Sequence, residues 1–207
     1  MLELTETKLA IFDLGNVVFR VDWQPMFDIW SEASSLPSET LKEGFHFDAN
    51  FEAFERGQLN GPEFHQRLCR TLGAEFSYDD FVRGWNAIYQ EVFDGMGLNL
   101  RLLKDTMRVV AFTNTNEVHA LVWPERYRDV LTNFEHIFIS SEMGVRKPEA
   151  EGFTRILDHC RVTPGEVIFF DDFKPNVDAA AELGIRAFLV DSPDVISAFV
   201  NSSGGKR

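Results

Sequence analysis

Cysteine, basic residues and long apolar runs are all scarce in this chain, and each shortage removes a class of protein. Only Cys69 and Cys160 occur in 207 residues. They lie far apart, so neither a disulfide framework nor a thiolate zinc site is written into the sequence, and buried free thiols are expected. Lysine and arginine number 20 against 33 acidic residues, a net charge of -13. That balance disfavours a nucleic-acid backbone or an anionic membrane as partner, because both need basic patches. No apolar run approaches the roughly 20 residues of a membrane-spanning helix. The first residues, with Glu3, Glu6 and Lys8, lack the basic-then-apolar layout of a signal peptide. A soluble cytoplasmic protein, monomer or homodimer, is the expectation.

Hydrophobic residues make up 44% of the chain, enough for one sizeable core plus an insertion. Strand signals recur at Leu9–Phe12, Arg108–Phe112, His136–Ile139, Glu166–Phe170 and Arg186–Val190. These runs are apolar throughout rather than alternating, which suits a parallel sheet covered on both faces. Helices are expected over Glu149–Cys160 and Pro175–Leu183, the latter begun by Pro175 and stopped by Gly184, with a short one after Ser192-Pro193. The tail Ser202–Arg207 reads as frayed.

Roughly 95 residues separate the first two strand signals, where a plain crossover needs about a dozen. The pattern inside is helical. Asp22 and Pro25 open a helix carrying Phe27 and Trp30, Ser38 opens another, and Pro62 to Gly73 frames Phe64, Leu68 and Leu72. Ser77 with Asp80 makes a capping-box-like start before Phe81, Trp85 and Ile88. The expected organisation is a Rossmann-like α/β core over residues 1–20 and 95–207, with helices on both sheet faces, and a helical cap over 21–94.

Polar clusters stand where the strands end: Asp13-Leu14-Gly15-Asn16-Val17, Thr113-Asn114 and Asp171-Asp172, with Lys147-Pro148 placed to join them. An open parallel sheet binds its ligands at those carboxyl ends. Taken singly, the first is a strand-ending turn, the second acidic pair a helix-capping loop, and Lys147-Pro148 an exposed helix entry. Jointly they supply a nucleophile, a metal-binding carboxylate set and a phosphate clamp.

In this order the motifs resemble the haloacid dehalogenase superfamily of phosphatases, and the inserted segment resembles its helical cap of the C1 type. Glu55-Arg56-Gly57, His119, Trp123-Pro124 and Gly144-Val145-Arg146-Lys147-Pro148-Glu149 are similar to the bacterial alpha-D-glucose-1-phosphate phosphatase branch. The resemblance implies that Asp13 attacks phosphorus to give an aspartyl-phosphate. It implies magnesium held by Asp13, the Gly15 carbonyl and Asp172, with Asp171 joining directly or through a water. Thr113 and the Asn114 backbone would donate to phosphate oxygens while Lys147 adds positive charge. Arg146 would pair either with a substrate oxygen or with a surface acid such as Glu149. His119 is read as structural, and His46, Glu55 and Trp85 as cap residues near substrate or core.

One departure stands out. Phosphatases of that superfamily carry a second aspartate two residues after the nucleophile, as the acid for the leaving oxygen, and this chain has Gly15 there. A small phosphorylated metabolite with a readily departing oxygen fits that deficit, a sugar phosphate such as glucose 1-phosphate being the expected case. Two rivals remain: a non-catalytic phosphate-binding protein, and a metal-independent 2-haloacid dehalogenase, which Asp171-Asp172 opposes.

Overall fold

The computed structural model describes residues 7–204. Its strands are β1 (Leu9–Phe12), β2 (Phe19–Val21), β3 (Tyr89–Val92), β4 (Arg108–Thr113), β5 (Ile137–Ile139), β6 (Val167–Asp171) and β7 (Arg186–Leu189). Five of them form one parallel sheet in the order β5-β4-β1-β6-β7. The chain starts at the centre with β1, grows outward through β4 and β5 on one side, and through β6 and β7 on the other. The ends of β1, β4 and β6 therefore meet at the point where the winding reverses, the place where such sheets open a crevice.

The uniform apolarity of these strands has a direct structural cause. In β1, Ala10 and Phe12 pack into one core while Leu9 and Ile11 pack into another on the opposite face. Helices α11 (Ala150–Cys160) and α12 (Lys174–Glu182) cover that second face through Phe153, Ile156, Leu157 and Ala180. The first face is closed by α6 (Met96–Lys104), the short helices α7 (Glu117–Ala120), α8 (Trp123–Arg126) and α9 (Arg128–Leu131), and α13 (Asp194–Gly204). A further short helix, α10 (Ser140–Met143), follows β5. Both faces are thus dry, as a parallel sheet requires.

The insertion carries α1 (Gln24–Ser34), α2 (Ser38–Gly44), α3 (Ala49–Glu55), α4 (Gly61–Leu72) and α5 (Tyr78–Asn86). Its starts are chemically legible. Asp22 Oδ1 accepts from the Gln24 N–H ahead of Pro25, Asn60 and Glu63 form a capping box, and the Ser77 side chain accepts from Asp80 N–H. Gly73 ends α4 in the left-handed region. Within the cap, Trp30, Phe81 and Trp85 stack on one another, with Trp30 and Trp85 at 6.0 Å and 8°.

Several expectations are corrected. The insertion is not purely helical: the chain leaves and returns through β2 and β3, which pair antiparallel. Strands of three and four residues hold too few periods to register as a pattern. Ile88 lies beyond α5 rather than on it, and α3 is a separate helix, capped by Asp48 accepting from Asn50 and Phe51 N–H. The tail expected to fray is helical to Gly204; residues 205–207, like Glu3 and Glu6, lie outside the described residues.

Candidate active site

Asp13 directly follows β1, Thr113 ends β4 and Asp171 ends β6, so the parallel register delivers all three to one edge. Lys147 arrives from the loop between α10 and α11. Its Nζ lies 2.8 Å from Asp13 Oδ1 and 2.7 Å from Asp171 Oδ2. The side chain is 1% exposed. Burial works to lower the ammonium's pKa, but Asp13 and Asp171 beside it hold it above its usual value. Asp171 also accepts from Asn176 Nδ2, at 3.0 and 3.1 Å, and from Phe173 N–H at 2.8 Å. A buried charge pair is tolerable only with its remaining hydrogen-bonding capacity used in this way.

Asp13 stands differently. Burial pushes its carboxyl up to about 7; Lys147 opposes the rise, while Asp171 and Asp172 add to it. Carboxylate oxygens of Asp13, Asp171 and Asp172 all lie within 4.8 Å of one another. Like charges crowded so closely favour a cation, and an all-oxygen, hard donor set fits magnesium. Asp172 is the exposed member of the three. Asn176 Oδ1, buried beside Asp171, has no hydrogen-bond partner among the described residues and leaves an acceptor for a metal-bound water.

Asn114 and Ser140 explain how distant segments come together. Asn114 Oδ1 accepts from Lys147 N–H at 2.8 Å, and its Nδ2 donates to the Lys147 carbonyl at 2.9 Å. This two-point clamp fixes the Lys147 loop to the end of β4, a task for the Asn114 side chain that the sequence did not suggest. Ser140 Oγ accepts from Thr115 N–H at 2.8 Å and donates to Thr115 O at 2.9 Å. In the nucleophile loop, Asn16 takes φ 55° while its Oδ1 accepts from Val21 N–H at 3.0 Å. The left-handed residue is therefore Asn16, not Gly15. A Cβ on Gly15 would meet only Val21 Cγ2, at 3.2 Å. Its backbone does not demand glycine, so what the position lacks is the carboxylate itself.

Asp13, Gly15, Thr113, Asn114, Arg146, Lys147 and Asp172 line a cavity of about 340 Å³, and Asp171 sits buried just beneath. The inserted segment lines the opposite side of the cavity through Trp23, Phe47, Phe51 and Glu55. Arg146 Nε donates to Glu55 Oε2 at 2.7 Å, with Glu52 at 3.4 Å from the same guanidinium, while Arg56 binds Glu149 at 2.5 Å. The Arg146 partners are thus cap acids, not the Glu149 carboxylate named from the sequence; only its backbone N–H reaches Glu149, at 3.4 Å. Burial raises the Glu55 carboxyl, against the pull of Arg146. Gly57, at φ 67°, lies so near the Ser141 carbonyl that any Cβ would collide with it. Glu55-Arg56-Gly57 is therefore one of the contacts between the inserted segment and the core.

The remaining expectations divide. His119 is buried, stacks on Trp85 at 5.0 Å and 6°, and holds Asn86 Oδ1 at 3.2 Å; burial pushes its imidazole down to about 3. It lines the cavity as a neutral group. Glu55 lines it too, whereas His46 is exposed outside it and Trp85 lies behind His119. Sequence reasoning missed the aromatic wall of Trp23, Phe47, Phe51 and Tyr89, because nothing in one-dimensional spacing separates a lining ring from a core ring.

Comparison with known proteins agrees with this geometry. The family model for hydrolases described as haloacid dehalogenase-like matches residues 7–184. A D-ribitol-5-phosphate phosphatase of Bacteroides thetaiotaomicron is 26% identical over 188 residues, 87% of this chain and 90% of that protein. A sesquiterpene phosphatase of Aspergillus oryzae is 29% identical over 195 residues, 91% and 92% of the two chains. Among solved structures, a haloacid dehalogenase family enzyme of Bacteroides thetaiotaomicron in complex with magnesium and inorganic phosphate superposes with a TM-score of 0.74 at 25% identity, covering 88% of this chain and 93% of that one. With its parallel sheet and strand-end carboxylates, the chain belongs to the haloacid dehalogenase-like hydrolases and sorts with their phosphatases.

Proposed function

We propose that this enzyme is a magnesium-dependent phosphatase acting through an aspartyl-phosphate at Asp13 on a small phosphorylated metabolite in the cytoplasm, with residues 21–94 as its cap. The observation that carries the reading is the buried Lys147 ammonium at 2.8 Å from Asp13 and 2.7 Å from Asp171, beside an exposed Asp172. Such a floor holds a dianion only if more positive charge joins it. Asp13, Asp172 and the Gly15 carbonyl would hold magnesium, with Asp171 behind them; bound there, the ion supplies the charge that lets carboxylate and phosphate approach. The solved relative with magnesium and phosphate supports that assignment.

The chain's own residues do the rest. An Asp13 oxygen bonds to phosphorus as the bond to the leaving oxygen breaks. Lys147 keeps the transferring group neutralised, and Thr113 with the Asn114 N–H orients its oxygens. Water then splits the phosphorus–Asp13 bond, restoring the carboxylate and releasing phosphate. With Gly15 in place of an acid, the leaving oxygen departs without a proton from that position. An anomeric oxygen, as in a sugar phosphate such as glucose 1-phosphate, is one leaving group that meets this demand. The named substrates of the relatives, ribitol 5-phosphate and a sesquiterpene phosphate, point to small phosphate monoesters as the class.

Turnover of p-nitrophenyl phosphate with magnesium and after chelation tests the reading. Activity that requires the metal is expected. Chloride release from a 2-haloacid without metal would favour the dehalogenase, and phosphate binding without turnover the non-catalytic protein.

A further inference from the structure

The cavity wall away from the strand ends is aromatic. Trp23, Phe47 and Phe51 from the cap meet edge to face, with Trp23–Phe47 centroids at 5.5 Å and Phe47–Phe51 at 4.9 Å, and all three line the cavity. Two of the cavity's rings are left to solvent at its mouth, Phe47 at 62% and Phe173 at 57% exposure, one from the cap and one from the core. A single exposed ring is ordinary. Two on the rim of one cavity, beside the half-buried Trp23 and the buried Phe51, form a surface that gains by covering an apolar group.

Three polar side chains lining the cavity are already engaged. Glu55 accepts from Arg146 at 2.7 Å, and Asn116 Oδ1 accepts from Trp85 Nε1 and from His119 N–H, both at 3.2 Å. His119 is turned through Nδ1 to Asn86. Against so aromatic a wall, a polyhydroxylated leaving group would exchange hydrogen bonds to water for ring contacts over part of its surface, a cost that an aromatic one does not meet. Chemistry adds a second constraint, because Gly15 carries no acid, Glu55 is tied up with Arg146 and His119 is neutral. The leaving oxygen must therefore be stable as an anion. Anomeric and phenolic oxygens both meet that demand, and the wall decides between them.

Resting on the phosphatase reading above, we propose that the substrate is an aryl phosphate, the phosphate monoester of a phenol-type hydroxyl, with its ring against Trp23, Phe47 and Phe51 and its phosphate on Asp13 and Lys147. An Asp13 oxygen bonds to phosphorus, the phosphorus–aryl oxygen bond breaks, and the phenolate keeps the electron pair and takes its proton from solvent. Water then cleaves the aspartyl-phosphate and gives its proton to solvent.

Phosphonates separate recognition from leaving-group reactivity, since their carbon–phosphorus bond is not cleaved. With magnesium and p-nitrophenyl phosphate as reporter, 1-naphthylphosphonate should inhibit the full chain at about tenfold lower concentration than methylphosphonate, the order that ring contacts carry. Phe47→Ala, at a position 62% exposed, should shrink that ratio at an unchanged circular dichroism spectrum, and Phe47→Tyr should restore it. In parallel, kcat/KM for 1-naphthyl phosphate should exceed that for glucose 1-phosphate. Equal inhibition by the two phosphonates, a ratio indifferent to Phe47→Ala, or preferred turnover of glucose 1-phosphate overturns the aryl assignment while leaving the phosphatase standing. Absence of any magnesium-dependent turnover overturns both.

Discussion

The floor and the roof of the cavity are built on opposite principles. At the floor, Lys147 and Asp171 are buried and Asp13 stands half-buried beside them, all three held by short bonds from strand ends and their loops, so that few side chains have freedom to move. The roof is a set of rings joined to the core by charge pairs with some solvent exposure, Glu55 with Arg146 and Arg56 with Glu149. A rigid, low-dielectric floor suits charge stabilisation, where misplacement is costly. A roof resting on rings and latches suits discrimination among leaving groups. Damage to the floor should therefore abolish chemistry, and damage to the roof should redistribute it.

The largest effect is expected from Asp13→Asn, which keeps the shape and removes the nucleophile. Turnover should fall by ~10^4-fold or more, with an unchanged circular dichroism spectrum. Near-normal activity would displace Asp13 from its role. Next come the two neighbouring aspartates, which divide the floor between them. Asp172→Ala should raise the magnesium concentration for half-maximal activity by about 10- to 100-fold at a normal melting temperature. Asp171→Ala should instead cost stability, on the order of 3–5 kcal/mol, because it strips a partner from the buried Lys147 and leaves Asn176 unpaired. From the sequence, Asp171 looked like a metal group acting directly or through a water; its bonds to Lys147, Asn176 and Phe173 N–H make it a structural post as well. Similar melting curves for the two variants would contradict that division.

A smaller change tests the missing acid. Gly15 has space for a Cβ with only Val21 to give way, so Gly15→Asp should fold. It should flatten the dependence of rate on leaving-group acidity and raise turnover of alkyl phosphates by about 100-fold. A flat dependence before any substitution would mean that another group already supplies the proton. Roof and floor are then uncoupled by Gly57→Ala, whose Cβ would push the cap loop off Ser141. An increase in KM of about tenfold with a smaller fall in kcat is expected; a change in kcat alone would place the loop in the chemistry.

The smallest effect concerns stability. Asp13 in the fold titrates near 7, above its usual value of 3.8, so the folded state binds more protons between those limits. Stability of the metal-free protein should therefore fall as pH rises through that window. Asp13→Asn removes the dependence, and in chelator it should melt a few degrees above the unaltered protein at about pH 8 but not at about pH 4. Thermal melts at both values check the sign.

The sequence by itself determined the sheet and the floor. Strands buried on both faces must be apolar throughout, and a polar residue ending such a run has only the sheet edge to occupy, which made Asp13, Thr113 and Asp171 legible one by one. Lys147 was legible by its place in their order. Tertiary structure alone decided what those residues touch: the Asn114 side chain clamping the Lys147 loop, Ser140 bridging both groups of Thr115, Gly57 against Ser141, and Arg146 paired with Glu55 at the cavity wall. It also decided which rings of the inserted segment face the cavity. Periodicity reports that a side chain is buried by its own element, whereas a cavity wall is shared by segments tens of residues apart, and only their packing says whether a ring meets another ring or open space.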